Sequence, residues 1–264
     1  MTNAALQVAR TGLDAQQERM QVIANNISNV NTTGFKRDRA NFQTLAYQYS
    51  TAPGATSSGD DQYTQGTALG GGVQLTGTSR SDTQGSMNQT GNALDVAIQG
   101  AGFFQIQQPD GTIAYTRDGT FTLSSEGQVV TTDGRPVIPN IQVPDGATNI
   151  TIGADGTVSA TVANATTSTQ LGKIQLASFV NPTGLQAQGT NLLTETQASG
   201  TPQLGDAGTD GRGTMVQGSL EASNVDVTQE LVDMIETQRA YEVNSKMIKA
   251  TDEMLQFANQ NMGS

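Results

Sequence analysis

The sequence predicts an α+β fold: a helix at each end of the chain and an antiparallel all-β domain between them. Two seven-residue apolar repeats, one near each terminus, and a series of Asp-Gly pairs separating short β-rich runs in the middle carry that expectation.

The first helix is expected over about residues 3–30, where Leu6, Leu13, Met20 and Ile27 recur every seven residues. Ala9, Ile23 and Val30 occupy the adjoining row, which the polar Gln16 interrupts. Residues 49–72 follow, with Pro53, several Ser and Thr and a Gly70-Gly71-Gly72 triplet but no apolar period, a composition that reads as a flexible loop. The middle carries Asp-Gly at 110–111, 118–119, 133–134, 145–146, 155–156 and 210–211, a pair suited to type I′ hairpin turns. Expected strands are Leu94 to Ile98, Phe103 to Gln107, Thr112 to Thr116, Thr120 to Leu123, Gln128 to Thr131, Asn149 to Ile152, Thr157 to Val162 and Lys173 to Phe179.

The last helix is expected over about 224–262, on an unbroken series of Leu220, Val227, Met234, Tyr241, Ile248, Leu255 and Met262. Asp226 with Gln229 reads as a capping box. The row four residues on (Leu231, Gln238, Ser245, Asp252, Asn259) is polar in all but its first member, so the apolar stripe is narrow, flanked by Ile235, Met247, Met254 and Phe257. A narrow stripe suits packing among several neighbours better than a two-stranded coiled coil.

Composition removes most chemistry. The 264 residues are 35% hydrophobic and 5% aromatic and include no His and no Cys. That excludes Ser-His-Asp and Cys-His catalysis, His- or thiolate-ligated zinc and disulfides. Neither Gly70-Gly71-Gly72 nor Gly100-Ala101-Gly102 is followed by a Lys-Ser/Thr pair, and no Asp-Gly has the spacing of a calcium loop, so no cofactor or metal is expected. Thirteen basic against 24 acidic residues give a net charge of -11, which disfavours nucleic acid. Lys36, Arg37 and Arg39 form the one tight basic cluster and read as a solvated face, and Arg117-Asp118 as an ordinary ion pair. No apolar run approaches a membrane span and residues 1–10 lack the pattern of a cleaved signal, so a soluble chain without membrane insertion is expected.

The segment from Ala24 to Arg37, which contains Asn25, Asn26, Asn29, Gly34, Phe35, Lys36 and Arg37, resembles the signature of the flagellar basal-body rod and hook family. Gly218 to Val227, Glu230 to Ile235, Gln238-Arg239-Ala240-Tyr241-Glu242 and Asn244-Ser245-Lys246 are similar to its C-terminal helix signature. Asp95 to Ile98, Gly102 to Phe104, Tyr115 to Gly119 and Leu192 to Thr196 are similar to its central blocks, so the resemblance spans the chain. Length and the segment from Tyr47 to Gly59 place it nearest the distal-rod members, with proximal-rod and hook members as alternatives and a secreted β-rich binding domain as the reading from another class.

The resemblance implies a non-catalytic subunit that polymerises into the rigid distal rod. Its terminal helices would pack as a coiled-coil-like filament core, and it would be exported by the flagellar type III system. It implies a location in the basal body, where the rod crosses the periplasm or cell wall. The implied partners are copies of itself in a helical homopolymer, proximal rod proteins, hook protein, the outer-ring bushing of a Gram-negative envelope and the export apparatus. The expected organisation is 1–30 with 224–264 as the helical core, 31–72 with 201–223 as a connecting segment, and 73–200 as the β domain. Leu6, Leu13, Met20, Ile23, Ile27, Val227, Leu231, Met234, Tyr241, Ile248, Leu255 and Met262 are the expected assembly interface. Tyr47, Tyr49, Pro53 and Tyr63 are expected in a rod-stiffening loop that touches a neighbouring subunit.

Overall fold

The computed structural model describes residues 2–54, 56–58, 61–62, 64–162 and 168–262; Tyr63 and the side chains of Leu255 and Met262 lie outside this description. The chain begins with α1 (Thr2–Ser28), followed by β1 (Asp38–Thr44), β2 (Gln48–Thr51), β3 (Thr56–Ser58), β4 (Asp61–Gln62), β5 (Thr67–Leu69), β6 (Val73–Arg80) and β7 (Met87–Gln89). Next come β8 (Val96–Gln99), β9 (Phe104–Gln107), β10 (Ile113–Thr116), β11 (Phe121–Leu123), β12 (Val129–Thr131), β13 (Val137–Ile138), β14 (Ala147–Ile152) and β15 (Thr157–Val162). It ends with β16 (Thr169–Lys173), β17 (Gln175–Ser178), β18 (Gln186–Gly189), β19 (Leu192–Thr194), β20 (Gln203–Asp206), β21 (Thr214–Gln217), β22 (Ser219–Glu221) and α2 (Val227–Met262). The α+β class is as the sequence predicts.

Two units divide the chain: a helical unit of residues 1–27, 38–79 and 226–264, and a β unit of 28–37 and 80–225. In the helical unit α1 and α2 run antiparallel. The Asn26 amide donates to Glu230 Oε2 at 3.3 Å, Arg19 approaches Asp233 at 4.0 Å, and Gly12 faces Asn244. A Cβ added at Gly12 would stand 3.0 Å from the Asn244 amide nitrogen, so the backbone of α1 comes close at this point. Asp226 caps α2 through Oδ1, which accepts from the N–H groups of Thr228 at 2.9 Å and Gln229 at 3.3 Å. The Gln229 side chain donates to Asp233 instead of reaching back, so only half of the expected capping box forms. Because the cap fixes the start at Val227, Leu220 of the heptad series lies in β22.

The buried companion row of α2 is not the one four residues on. Glu230 and Thr237 are buried and Asn244 and Thr251 partly so, three residues beyond each member of the apolar series, while Leu231 and Gln238 are exposed. The α1 face carries Ala9, Gly12 and Ala15, and helices approaching that closely leave room for Thr and Asn but not for a row of Leu.

Residues 48–69, whose composition suggests a flexible loop, contain a two-stranded ribbon. β2 pairs with β5 in the register Gln48↔Leu69 and Tyr49↔Ala68, and β3 pairs with β4 beyond them. The paired strands, QYST with TAL and TSS with DQ, are mostly polar and have no apolar period to announce them.

In the β unit, β13-β9-β10-β19-β18 form a five-stranded antiparallel sheet, β14-β15-β16 a three-stranded one, and the remaining strands pair two by two. Val96, Ile98, Phe104, Ile106, Phe121, Val158, Ile174 and Leu176 form the main core, with Phe104 and Phe121 edge-to-face at 5.1 Å. The expected strands are found within two residues at most ends, and Thr157 to Val162 is found without change. The Asp-Gly turns differ from expectation: only at Asp210-Gly211 do both residues take positive φ, as type I′ requires. At Asp110-Gly111 the glycine alone does so, and Asp110 Oδ1 accepts from Thr112 N–H at 2.9 Å, an Asx turn in a longer loop.

Candidate functional site: motif residues and helix faces

In the β unit the motif residues near the N-terminus meet those before α2 around one carboxylate. Glu221 is 1% exposed. It accepts from Lys36 Nζ at 2.5 Å, from Gly85 N–H at 3.0 Å and from Arg117 Nη1 at 3.1 Å. Arg117 Nη2 donates to the Gly100 carbonyl at 2.7 Å, and its guanidinium lies 5.4 Å from the centre of the Phe103 ring. Burial holds the Lys36 and Arg117 pKa values below their usual ranges against the opposing pull of Glu221, and burial raises that of Asp82 alongside. Lys36 is therefore a core residue, not part of a solvated face, and Arg117 pairs with Glu221 instead of its neighbour Asp118. The latter accepts from Thr120 N–H at 3.0 Å.

Backbone geometry locks the same place. Gly34 N–H donates to the Glu221 carbonyl at 2.8 Å with φ +69, and a Cβ there would stand 2.8 Å from the Arg117 carbonyl carbon. Asn224 accepts from Arg37 N–H at 2.7 Å and donates to the carbonyls of Ser81 at 3.0 Å and Thr83 at 2.9 Å, taking the place of a neighbouring strand. A cleft of about 230 Å³ opens beside Phe35, Lys36, Phe103, Arg117 and Leu193. Its two innermost cations are already held by Glu221, so the arrangement fixes chain crossings and presents no activated nucleophile.

In the helical unit, Ile23 and Asn26 of α1 are buried, while Leu6, Leu13, Met20 and Ile27 are partly covered. On α2, Met234 and Ile248 are partly covered, and Val227, Leu231 and Tyr241 are exposed. Further large apolar side chains of α2 are exposed: Val232, Ile235, Val243 and Phe257 on the side away from Glu230 and Thr237, and Met247 and Met254 on the flank of the seam row, all 46–70% exposed. On the ribbon and its base, Tyr47 and Tyr49 are 54% and 63% exposed, and Pro53 is exposed as well.

Residues 6–36 match the flagella basal body rod protein family, residues 97–160 the D1 domain of the flagellar hook protein FlgE/F/G group, and residues 216–261 the C-terminal region of the flagellar basal body rod FlgEFG proteins. The flagellar basal-body rod protein FlgG of Buchnera aphidicola subsp. Acyrthosiphon pisum is 50% identical over 97% of this chain and 98% of its own. The chain belongs to the flagellar basal-body rod protein family. FlgG of Agrobacterium fabrum is 46% identical over 98% of the chain and 99% of its own, and FlgG of Bacillus subtilis 41% over 93% and 94%. Membership makes this protein a structural subunit of the flagellar basal body and not an enzyme.

The rod-family motif divides between the two units. Asn26 lies in the helix pair, where its amide also donates to the Asp38 carbonyl at 2.9 Å and accepts from Asp38 N–H at 3.0 Å. Asn29 accepts from the Thr32 hydroxyl at 3.2 Å in the turn that follows α1. Gly34, Phe35, Lys36 and Arg37 belong to the Glu221 cluster or its rim, while Asn25, Gln238, Arg239 and Glu242 are exposed and Ala240 partly covered. Glu221 and Asn224 as organising residues, and Glu230, Thr237 and Asn244 as seam residues, are roles that no local sequence pattern marks out. The last three stand three positions after Val227, Met234 and Tyr241.

Proposed function

We propose that this rod-family subunit is a distal-rod protein that polymerises into the drive shaft through its terminal helices. The observation that carries this reading is the set of large apolar side chains on α2 that are 46–70% exposed and would be covered by neighbouring subunits. At about 1.5–3 kcal/mol per large apolar side chain buried, several such residues per subunit would offset the cost of ordering an assembly. The seven-residue series would then sit in a coiled-coil-like core formed by 1–30 and 224–264, with 31–72 and 201–223 as the connecting segment and 73–200 as the β domain. Leu6, Leu13, Met20, Ile23, Ile27, Val227, Leu231, Met234, Tyr241, Ile248, Leu255 and Met262 would take part in that core. Contacts that repeat head to tail without closing give a filament. Proximal rod and hook proteins at its ends, a surrounding bushing and the type III export apparatus are the partners this reading requires.

The test is Ile248→Asp, built into otherwise normal cells. Rod assembly and motility are expected to fail together while the purified variant keeps the folded β unit; normal rods would overturn the reading.

The ribbon carries a second element of the proposal. Tyr47, Tyr49, Pro53 and Tyr63 would bridge to a neighbouring subunit and resist the sliding between rows that curvature needs. Removing residues 52–65 is expected to leave polymerising subunits whose rods curve, and straight rods of unchanged stiffness would make the ribbon an ordinary surface feature.

A further inference from the structure

The seam between α1 and α2 holds few groups able to choose an axial position. Ala9, Gly12, Ala15 and Thr237 are small, and Thr237 satisfies its own hydroxyl on the Asp233 carbonyl at 2.6 Å. Gly12 and Asn26 are two heptads apart on α1, as are Asn244 and Glu230 on α2, so the present register brings 26 to 230 and 12 to 244. A slide of one heptad would bring Gly12 to Thr237, no larger than Asn244, and would exchange Asp233 for Glu230 beside Arg19, one carboxylate for another. Size and charge along most of the seam therefore accept both positions.

One contact does not. The Asn26 side chain is held at both ends by the Asp38 backbone, accepting from its N–H and donating to its carbonyl, so this amide is a fixed post. It also donates to Glu230 Oε2, and each of the two side chains is 1% exposed. A slide of α2 would draw Glu230 off the post and leave no α2 residue opposite it, because the helix starts at Val227. We propose that Asn26 and Glu230 are the specificity-determining pair that sets the register of α1 on α2. This goes beyond the assembly reading, since it concerns the pairing within one chain. A buried polar pair that selects register at a cost in stability has precedent in helix pairing generally.

The chain has no cysteine, so engineered pairs report on register without background. In the full-length monomer, Gly12→Cys with Asn244→Cys is expected to oxidise about tenfold faster than Gly12→Cys with Thr237→Cys, which reports the slid position. Adding Glu230→Leu, which keeps the seam filled, is expected to bring the two rates to within about threefold, and Glu230→Gln, which can still accept from Asn26, to restore the preference. The proposal is overturned if Glu230→Leu keeps the tenfold preference or if Glu230→Gln loses it as fully as Leu. Loss of both crosslinks with Glu230→Leu also overturns it, since the pair would then hold the helices together without selecting their register.

Discussion

The two units bury different mixtures of residue. The β unit encloses Phe104, Phe121, Ile106, Ile174 and Leu176, each at most 1% exposed, and gathers buried charge around Glu221 with Lys36 and Arg117, while Asp95 and Arg212 are buried elsewhere in it. The helical unit encloses Ile23 but otherwise mostly small or polar side chains, Ala9, Ala15, Asn26, Glu230 and Thr237, and leaves Ile235, Met247, Met254 and Phe257 exposed. A domain that hides its large apolar side chains gains its stability from its own chain. One that turns them outward gains most when another surface covers them, which is how the same sequence can specify both a self-sufficient domain and a polymerising one.

The sharpest way to break this contrast is at the charged centre of the β unit. Glu221→Ala would leave Lys36 and Arg117 buried without their carboxylate, and a loss of about 3–5 kcal/mol in urea unfolding of the β unit is expected. A loss below 1 kcal/mol would show that the cluster is incidental to the fold.

On the helical side, Met247→Asp should change monomer stability by less than about 0.5 kcal/mol, since the side chain is 54% exposed. It should nevertheless raise the protein concentration needed for assembly at least about tenfold, measured by sedimentation. Equal effects on monomer and assembly would erase the distinction between the buried and the exposed side chains of α2.

A third effect is confined to alkaline solution. Burial, with a lesser contribution from Glu195, raises the Tyr115 phenol to about 12. Its folded pKa thus lies above the ordinary value of 10, so the neutral phenol contributes stability that is present below pH 10 and lost as pH rises from 10 to 12. Tyr115→Phe should remove up to about 2 kcal/mol of that alkaline loss, seen as a flatter dependence of the unfolding midpoint on pH. An unchanged pH dependence would place the loss elsewhere.

What the sequence disclosed follows the physics of each region. Strands such as Thr157 to Val162 and Phe103 to Gln107 are legible because apolar and β-branched residues fall between turn signals. The ribbon of residues 48–69 is not, because it is held by backbone pairing between polar residues with little core beneath them. The terminal helices announce themselves through their heptads, but the row that faces α1 is polar, so a search for apolar companions selects Leu231 over Glu230. Lys36 reads as a surface charge because its partner stands 185 residues away, beyond the reach of any local pattern.

That separation has a consequence for how the chain comes to rest. Lys36, Arg117 and the carbonyls of Ser81 and Thr83 occur early or midway along the chain, whereas Glu221 and Asn224 come near its end. On any route that delivers the protein from its N-terminus, the β unit cannot close until those two residues arrive. Closing so large a loop is slow relative to pairing neighbouring strands. The junction is therefore the part of the β unit whose formation depends most on both ends of the chain being present.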